Sequence, residues 1–362
     1  MSTHAQVDSP CRVLVADDSA LMRRILSSSL SRGGFEVIGE AADGDEALEQ
    51  WQRLRPDVMT LDLQMPGRDG IGVLRALREA NTSGSGSVPV VVVSAFSSRH
   101  GVRAVDALSE GAFDLVAKPA GGSTLEAFND ELRGKLRAAA SMGTASPART
   151  LPRSATPRSA LRRPGAPAAR TAGTGTPRVV VIACSTGGPR ALAQLVPELP
   201  TPLGAGGVVV QHMPEGFTGS LAARLDRMSP LRVVEASGDD VLDPGQLVVA
   251  AGGSHLHLGE GGRVRLGDEP PIGALRPRAD LTIEGIVRLH GPRVLLVVLT
   301  GMGRDAELGA RAVKAAGGRV LAEAEETCTV YGMPRAVVEA GLADVVLPLH
   351  DLPAAIAEEA WC

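Results

Sequence analysis

One stretch of the chain decides its fold: Val179-Val180-Val181-Ile182-Ala183-Cys184-Ser185-Thr186-Gly187-Gly188-Pro189. Its β-branched run is typical of a buried strand, and the paired glycines permit close backbone approach before a helix begins. The free N–H groups and positive dipole end of that helix would face anything bound at the turn. Ser185 is therefore either a nucleophile or a polar cap for the helix, and the rest of the chain must decide between them.

The composition indicates a globular protein of two or three domains with aliphatic cores. The 362 residues are 44% hydrophobic but only 2% aromatic, so Val, Leu, Ile and Ala must fill the interior. No apolar run approaches the roughly 18 residues that span a bilayer, and the polar N-terminus lacks a signal-peptide core. The four cysteines form no CxxC pair and no metal-ligand spacing. We therefore expect a cytoplasmic protein with reduced thiols.

Residues 138–177 separate two halves of the chain. They contain six Arg and no Asp, Glu or Lys, and their Ala, Pro, Ser, Thr and Gly cannot bury enough surface to fold. We predict a flexible linker there, between a first domain at 11–137 and a second at 178–362. Outside the linker, 31 basic residues stand against 41 acidic ones, which argues against a nucleic-acid partner.

Both halves predict α/β domains built on doubly wound parallel sheets, because short apolar strands alternate with amphipathic helices. In the first half, strands are expected at 12–16, 35–41, 57–61, 88–93 and 114–117. The helices between and after them are expected at about 19–32, 45–54, 71–80, 99–110 and 124–137. In the second half, strands are expected near 178–182, 206–211, 247–250, 294–299 and 319–323. A less regular Gly-rich stretch at 237–273 favours hairpins.

Polar groups follow four strands of the first half. Asp17 and Asp18 follow the first strand, Asp62 the third, Ser94 ends the fourth, and Lys118 follows the fifth. Clustered carboxylates repel one another and favour a hard cation such as Mg²⁺. Together with a lysine and a small hydroxyl, they suit phosphoryl transfer onto an aspartate. A turn or capping role is the alternative for any single Asp, and their joint placement at one sheet edge disfavours it.

These residues resemble the response-regulator receiver family over Cys11 to about Arg137, through V-A-D-D-S, P-D-V-M-T-L-D-L-Q-M-P and A-K-P. The resemblance implies a flavodoxin-like fold with Asp62 as phospho-acceptor and with Ser94 and Lys118 as the switch pair. It also implies a Mg²⁺ site with four ligands: Asp17, Asp18, Asp62 and the Gln64 carbonyl. Leu115 stands where many receivers have an aromatic switch residue, so signalling through an aromatic rotamer is not expected here.

A serine nucleophile needs a base, an acid that orients the base, and donors for the oxyanion. His212 ends an apolar strand in the same position as Ser185, and Asp305 follows the strand expected at 294–299. Three strand ends would thus supply Ser, His and Asp. This chain order of Ser, His and Asp differs from the Ser, Asp, His order of the α/β-hydrolases. Ala183 also stands where their G-x-S-x-G elbow has its first glycine. The competing interpretation is a capping Ser185, a buried His212 and a capping Asp305.

Two other interpretations stay open from the residues alone. His255 and His257 lie in a Gly-rich loop that would reach the same edge, so either is an alternative base. Gly301–Ala306 also fits G-x-G-x-x-A after a strand, with Glu323 at the distance that a dinucleotide site requires. The motif belongs on the first strand of a Rossmann domain, however, and here it follows one of the last.

The second half resembles the catalytic domain of the chemotaxis protein-glutamate methylesterase (CheB) family over about 178–349. The signatures are I-A-C-S-T-G-G-P, Q-H-M-P-E-G-F-T and L-T-G-M-G-R-D, with A-A-G-G-S-H-L and Y-G-M-P beside them. The resemblance implies a Rossmann-like esterase fold with no cofactor of its own. Ser185 would be the nucleophile, His212 the general base, Asp305 its orienter and the Met302 N–H an oxyanion donor.

Three positions depart from the pattern of that family. Ala183-Cys184 stands where Gly-Ala or Gly-Ser is usual, Ala306 where Gly commonly follows the aspartate, and Arg278 where Ser is frequent. These departures bear on rate and substrate choice more than on the reaction itself.

The resemblances together predict a phosphorylation-activated esterase acting in chemotactic adaptation. Its substrates would be glutamate methyl esters on chemoreceptors, with release of methanol, and it would also deamidate receptor glutamines. A histidine kinase would donate the phosphoryl group, and contact with membranes would occur only through the receptors. The alternatives are a non-catalytic, phosphorylation-gated interaction module and, more remotely, a nicotinamide-dependent oxidoreductase.

Overall fold

The computed structural model describes residues 10–82, 87–95, 98–119, 124–143 and 175–361. Residues 144–174, which make up most of the predicted linker, lie outside the described residues. The described residues form two parallel sheets with helices on their faces and one two-stranded hairpin, so the α/β class with two doubly wound domains is confirmed.

The first domain has a five-stranded parallel sheet in the order β2-β1-β3-β4-β5, the flavodoxin-like order. Its strands are β1 (Arg12–Ala16), β2 (Glu36–Ala41), β3 (Val58–Leu61), β4 (Val90–Ser94) and β5 (Asp114–Ala117). Its helices are α1 (Ala20–Arg32), α2 (Gly44–Leu54), α3 (Gly70–Thr82), α4 (Ser98–Ser109) and α5 (Leu125–Gly143). Helices α1 and α5 cover one face of the sheet, and α2, α3 and α4 cover the other.

The predicted strands of this domain agree with the structure to within two residues, but the last helix does not. Helix α5 continues to Gly143, beyond the predicted end at Arg137. The extension A-A-A-S-M-G contains strong helix formers and no proline, and Ala139 is fully buried against the domain. Packing therefore carries the helix into the start of the segment that composition assigned to the linker.

The second domain has a seven-stranded parallel sheet in the order β14-β13-β12-β6-β7-β9-β8. Its strands are β6 (Val179–Cys184), β7 (Gly207–Gln211), β8 (Arg232–Glu235), β9 (Gln246–Val249), β12 (Val294–Val298), β13 (Arg319–Glu323) and β14 (Val345–Leu347). An antiparallel hairpin of β10 (His255–Leu258) and β11 (Val264–Gly267) lies in the Gly-rich stretch, as predicted. The helices are α6 (Gly188–Leu195), α7 (Thr218–Asp226), α8 (Ala279–His290), α9 (Glu307–Ala315), α10 (Met333–Glu339) and α11 (Leu352–Glu359).

The order of the strands places a crevice at the centre of the second sheet. Strands β6 and β12 are neighbours, every residue of both is buried, and the chain leaves them towards opposite edges. In open parallel sheets such a switch point, outside the carboxyl ends of the strands, is where ligands bind. The Ser185 N–H donates to the Thr300 carbonyl across it, at 3.0 Å.

The two domains touch through helix α4 and strand β5 of the first. Helix α4 packs against α6 and α7, where the Asp106 carboxylate lies 3.1 Å from the Arg224 guanidinium. A Cβ added to Gly101 would lie 2.5 Å from the Gly216 carbonyl, so the backbones approach closely there. At the start of β5, the buried Asp114 accepts a hydrogen bond from the Thr186 hydroxyl. The first domain thus contacts the residue that follows Ser185.

Among the described residues, every helix is too short or too polar to cross a bilayer.

Candidate functional site

The acidic residues of the first domain converge at the carboxyl edge of its sheet. Asp17, Asp18 and Asp62 each bring one carboxylate oxygen within 4.8 Å of the others. The Lys118 Nζ lies 2.8 Å from Asp17 and 2.6 Å from Asp62. Burial raises the pKa of Asp17. Burial alone would lower the pKa of Lys118, but its hydrogen bonds to Asp17 and Asp62 raise it.

The remaining predicted residues of this site lie at the same edge. Ser94 ends β4 and is buried, and its carbonyl accepts from the Lys118 N–H at 2.7 Å. Gln64 lies in the loop after β3, where its N–H donates to Asp62 at 3.2 Å. The three carboxylates form an all-oxygen donor set, which fits a hard cation such as Mg²⁺. Leu115 is buried in β5, so an aliphatic side chain fills the usual aromatic position.

Ser185 stands in the turn between β6 and α6 and does not cap the helix. Helix α6 begins at Gly188, and its N-cap is Gly187 with φ +82° and no side-chain hydrogen bond. Only glycine fits at 187, because a Cβ there would lie 2.4 Å from the Thr329 Cβ. Gly301 approaches from the other side, where a Cβ would lie 2.8 Å from the Ser185 Cβ. The capping interpretation of Ser185 is therefore wrong.

His212 and Asp305 form a buried hydrogen-bonded pair. His212 Nε2 lies 2.7 Å from Asp305 Oδ2, and their side chains are 8% and 2% exposed. Asp305 also accepts from the N–H groups of Ala279 (2.7 Å), Asp280 (2.9 Å) and Ala306 (3.0 Å). Burial would raise the pKa of Asp305, but the His212 hydrogen bond and these donors hold it well below its usual range. The carboxylate is therefore ionised, and it both orients His212 and caps helix α8.

The geometry leaves one nitrogen of His212 for a second partner. Nε2 faces Asp305, so Nδ1 is the atom available to exchange a proton. Within the described residues no hydrogen bond joins the Ser185 hydroxyl to His212, and such contacts are often long before substrate binds. Met302 lies between Gly301 and Gly303, and its N–H donates to none of the described residues. That N–H is thus an unused donor among the described residues, directly after Gly301, which approaches Ser185.

The other candidate groups have polar partners of their own. His255 Nδ1 accepts from the Arg278 N–H at 3.3 Å, and His257 lies 3.0 Å from Glu269. Glu323, the acid of the dinucleotide motif, is fully buried and accepts from the Thr300 N–H at 2.8 Å. It has no access to a ribose hydroxyl, so the site does not support a dinucleotide.

The comparisons with known proteins agree with both halves of this geometry. Residues 180–356 match the CheB methylesterase family, and residues 13–128 match the response regulator receiver domain family. A protein-glutamate methylesterase/protein-glutamine glutaminase of Symbiobacterium thermophilum is 43% identical over 360 residues, which cover 97% of each chain. This chain belongs to the CheB methylesterase family. A relative of that name in Myxococcus xanthus is 44% identical over 352 residues, covering 96% of this chain and 97% of the relative. Another in Geobacillus kaustophilus is 40% identical over 354 residues, covering 96% and 98%.

Arg278 brings a positive charge next to Asp305, a contact that the sequence alone did not predict. Its guanidinium lies 2.9 Å from Asp280 and 3.5 Å from Asp305. Burial, with the nearby charge of Asp305, raises the pKa of Asp280 to about 6. Arg278 therefore offsets a second buried carboxylate beside Asp305. In the sequence, Arg278 could be recognised only as a departure from the family pattern.

Ala306 departs from the CheB pattern at a strained position. It holds φ +79° as the N-cap of α9, a left-handed conformation that favours glycine. We expect Ala306→Gly to raise the free energy of unfolding by about 1 kcal/mol, as measured by urea denaturation. Ala315→Gly is the matched control in the same helix, and it should lower that free energy by about 0.5–1 kcal/mol. Equal effects of both changes would contradict strain at Ala306.

The oxygen cluster of the receiver domain predicts Mg²⁺ binding that depends on an exposed carboxylate. Asp18→Asn removes one charged ligand at little cost to the fold, because Asp18 is exposed. We expect its Mg²⁺ affinity to fall about tenfold or more in calorimetric titration. Asp45→Asn, an exposed carboxylate paired with Arg68 instead, is the control and should bind Mg²⁺ as the unchanged protein does. Equal affinities for both variants would remove Asp18 from the site.

Proposed function

We propose that this chain is a phosphorylation-activated serine esterase that removes methyl groups from glutamate methyl esters of chemoreceptors. The observation that carries the proposal is the buried His212–Asp305 pair beside Ser185 at the switch point of the second sheet. The names of its full-length relatives support the same reaction and suggest glutamine deamidation as a second one. Both reactions end in a glutamate side chain and differ in the leaving group, methanol or ammonia.

The reaction follows from the roles of the three side chains. Ser185 attacks the ester carbonyl while His212 takes its proton, and Asp305 orients the imidazole and stabilises its charged form. The Met302 N–H donates to the oxyanion of the tetrahedral intermediate. His212 then returns the proton to the departing methoxide, which leaves as methanol. Water, deprotonated by His212, attacks the acyl-enzyme and releases glutamate and the free serine.

The receiver domain supplies the control. Asp62 accepts the phosphoryl group, and Lys118 and Ser94 respond to it. Asp17, Asp18, Asp62 and the Gln64 carbonyl would hold Mg²⁺, whose charge offsets that of the phosphoryl oxygens. We propose a histidine kinase as phosphodonor, receptor helices at the cytoplasmic face of the membrane as substrate, and no nucleic-acid partner.

Methanol release from methylated receptor membranes tests this function. The purified protein should release methanol, and a small-molecule phosphodonor with Mg²⁺ should raise the rate. Ser185→Ala should lose at least about a thousandfold in rate, because the nucleophile is gone. Asp62→Asn should lose the rise with phosphodonor, whereas Asp45→Asn should keep it. A folded protein whose output survives Ser185→Ala would instead be a non-catalytic interaction module.

The contact between the domains predicts that the receiver restrains the esterase. Asp106 pairs with Arg224 across the interface, and Asp114 holds Thr186 next to the nucleophile. We expect Asp106→Arg to loosen this interface and raise the methanol release of unphosphorylated protein about fivefold or more. The charge-swapped double variant, Asp106→Arg with Arg224→Asp, should restore the low rate. An unchanged rate in the single variant would show that this contact does not restrain the enzyme.

A further inference from the structure

A buried side-chain amide lies between the backbones of the candidate nucleophile and base. Gln211 is the last residue of β7 and is 2% exposed. Its Nε2 donates to the carbonyl of Ser185 and to the carbonyl of His212, each at 2.9 Å. One amide group therefore uses both of its hydrogens on the two residues whose side chains must meet.

This amide continues the sheet beyond the point where the strands stop pairing. The last backbone bond between β6 and β7 runs from the His212 N–H to the Cys184 carbonyl, at 3.0 Å. Past it, the chain turns away at Ser185 on one side and at His212 on the other. The Gln211 side chain bridges the two segments there, so it sets their separation where the ladder no longer does.

The orientation of the amide is determined by its surroundings. Two carbonyl oxygens face Nε2, so a flipped amide would place its oxygen against both of them. Gln211 Oε1 lies 3.1 Å from the Cys184 Sγ, and those two residues are register partners on adjacent strands. Burial raises the pKa of the Cys184 thiol far above its ordinary value. The thiol therefore stays protonated and donates a hydrogen bond to Oε1.

The neighbouring backbone leaves room for this arrangement. A Cβ added to Gly188 would lie 2.0 Å from Gln211 Oε1 and 3.0 Å from the Cys184 Cβ. The Gln211 amide thus requires glycine at the first position of α6. On its other side, Ser185 is held by its N–H bond to the Thr300 carbonyl, at 3.0 Å.

We propose that Gln211 is a positioning residue that sets the spacing of Ser185 and His212, with the Cys184 thiol fixing the orientation of its amide. This inference rests on the proposed serine-esterase function. Rate depends steeply on the distance between nucleophile and base, since a displacement near 1 Å costs about a hundredfold. Substrate affinity does not depend on that distance, so kcat is expected to change and KM is not.

Steady-state methanol release by the full-length protein tests the positioning role of the Gln211 amide. The kcat of each variant is divided by the concentration of active serine, which is titrated with a phosphonofluoridate. Gln211→Met keeps the length of the side chain but removes both donors, and we expect kcat to fall about 10- to 100-fold with KM within threefold. Gln246→Met is the matched control, because Gln246 is equally buried but begins β9 at the opposite end of the sheet. Its kcat per titrated serine should stay within twofold.

The thiol gives a second, milder test of the same inference. Cys184→Ser retains a donor for Gln211 Oε1 and should keep kcat, whereas Cys184→Ala leaves that oxygen unpartnered and should lower kcat several-fold. Equal kcat for the Ser and Ala variants would overturn the role of the thiol. If Gln211→Met does not fold, Gln211→Glu replaces it, since a carboxyl group offers at most one donor to the two carbonyls.

Two outcomes separate this inference from the proposed function. If Gln211→Met matches Gln246→Met in kcat while Ser185→Ala is inactive, the esterase stands and the positioning role of Gln211 is wrong. If Ser185→Ala keeps its rate, the proposed function itself fails, and the positioning role fails with it.

Discussion

The carboxylate of Asp305 is the group on which the catalytic half depends. A buried charge is tolerated only where donors replace the water it has lost. Here His212, Ala306 and the first N–H groups of α8 supply those donors. Helix α8, the loop after β12 and the segment after β7 must therefore all be in place before the charge is stable. Docking of α8 and assembly of the catalytic centre are consequently one event, and a defect in either destabilises the other.

The hydrophobic pattern predicted the central strands well, but it missed two edge strands and the end of one helix. Strands β6 and β12 are buried on both faces, so each is a continuous apolar run that can be recognised directly in the sequence. Strand β8 (R-V-V-E) is an edge strand with charged ends, and β14 is an edge strand of three residues. Neither was predicted, because an edge strand needs no such run. Helix α5 passed its predicted end because tertiary packing, not composition, determines where it stops.

The residues of the candidate sites also differ in how well the sequence predicted them. Residues that follow strand ends, such as Ser185, His212 and Asp62, were predictable, because a parallel sheet brings its carboxyl ends to one edge. Contacts that depend on register or on docking of the domains were not. Gln211 meets Cys184 only through the β6–β7 register, and Thr186 meets Asp114 only through the interface. From the sequence, capping a helix and orienting His212 were alternative roles for Asp305, whereas in the structure one carboxylate both contacts His212 and accepts from the first N–H groups of α8.

Strand β5 runs between the carboxylate cluster of the first domain and the contact of Asp114 with the second domain. Lys118, which pairs with Asp62, follows the end of β5, and Asp114 begins it. The strand is about 13 Å long. Its first carboxylate, Asp114, accepts from Thr186 on one side and lies 3.5 Å from the half-buried Lys135 on the other. With Leu115 at that position, there is no aromatic ring to change rotamer there. Under the proposed function, a phosphoryl group on Asp62 would compete for Lys118, and a shift of β5 would move the Asp114 carboxylate relative to Thr186. Because Ser185 precedes Thr186 directly, the Asp114 contact and the Ser185 side chain share one turn of backbone.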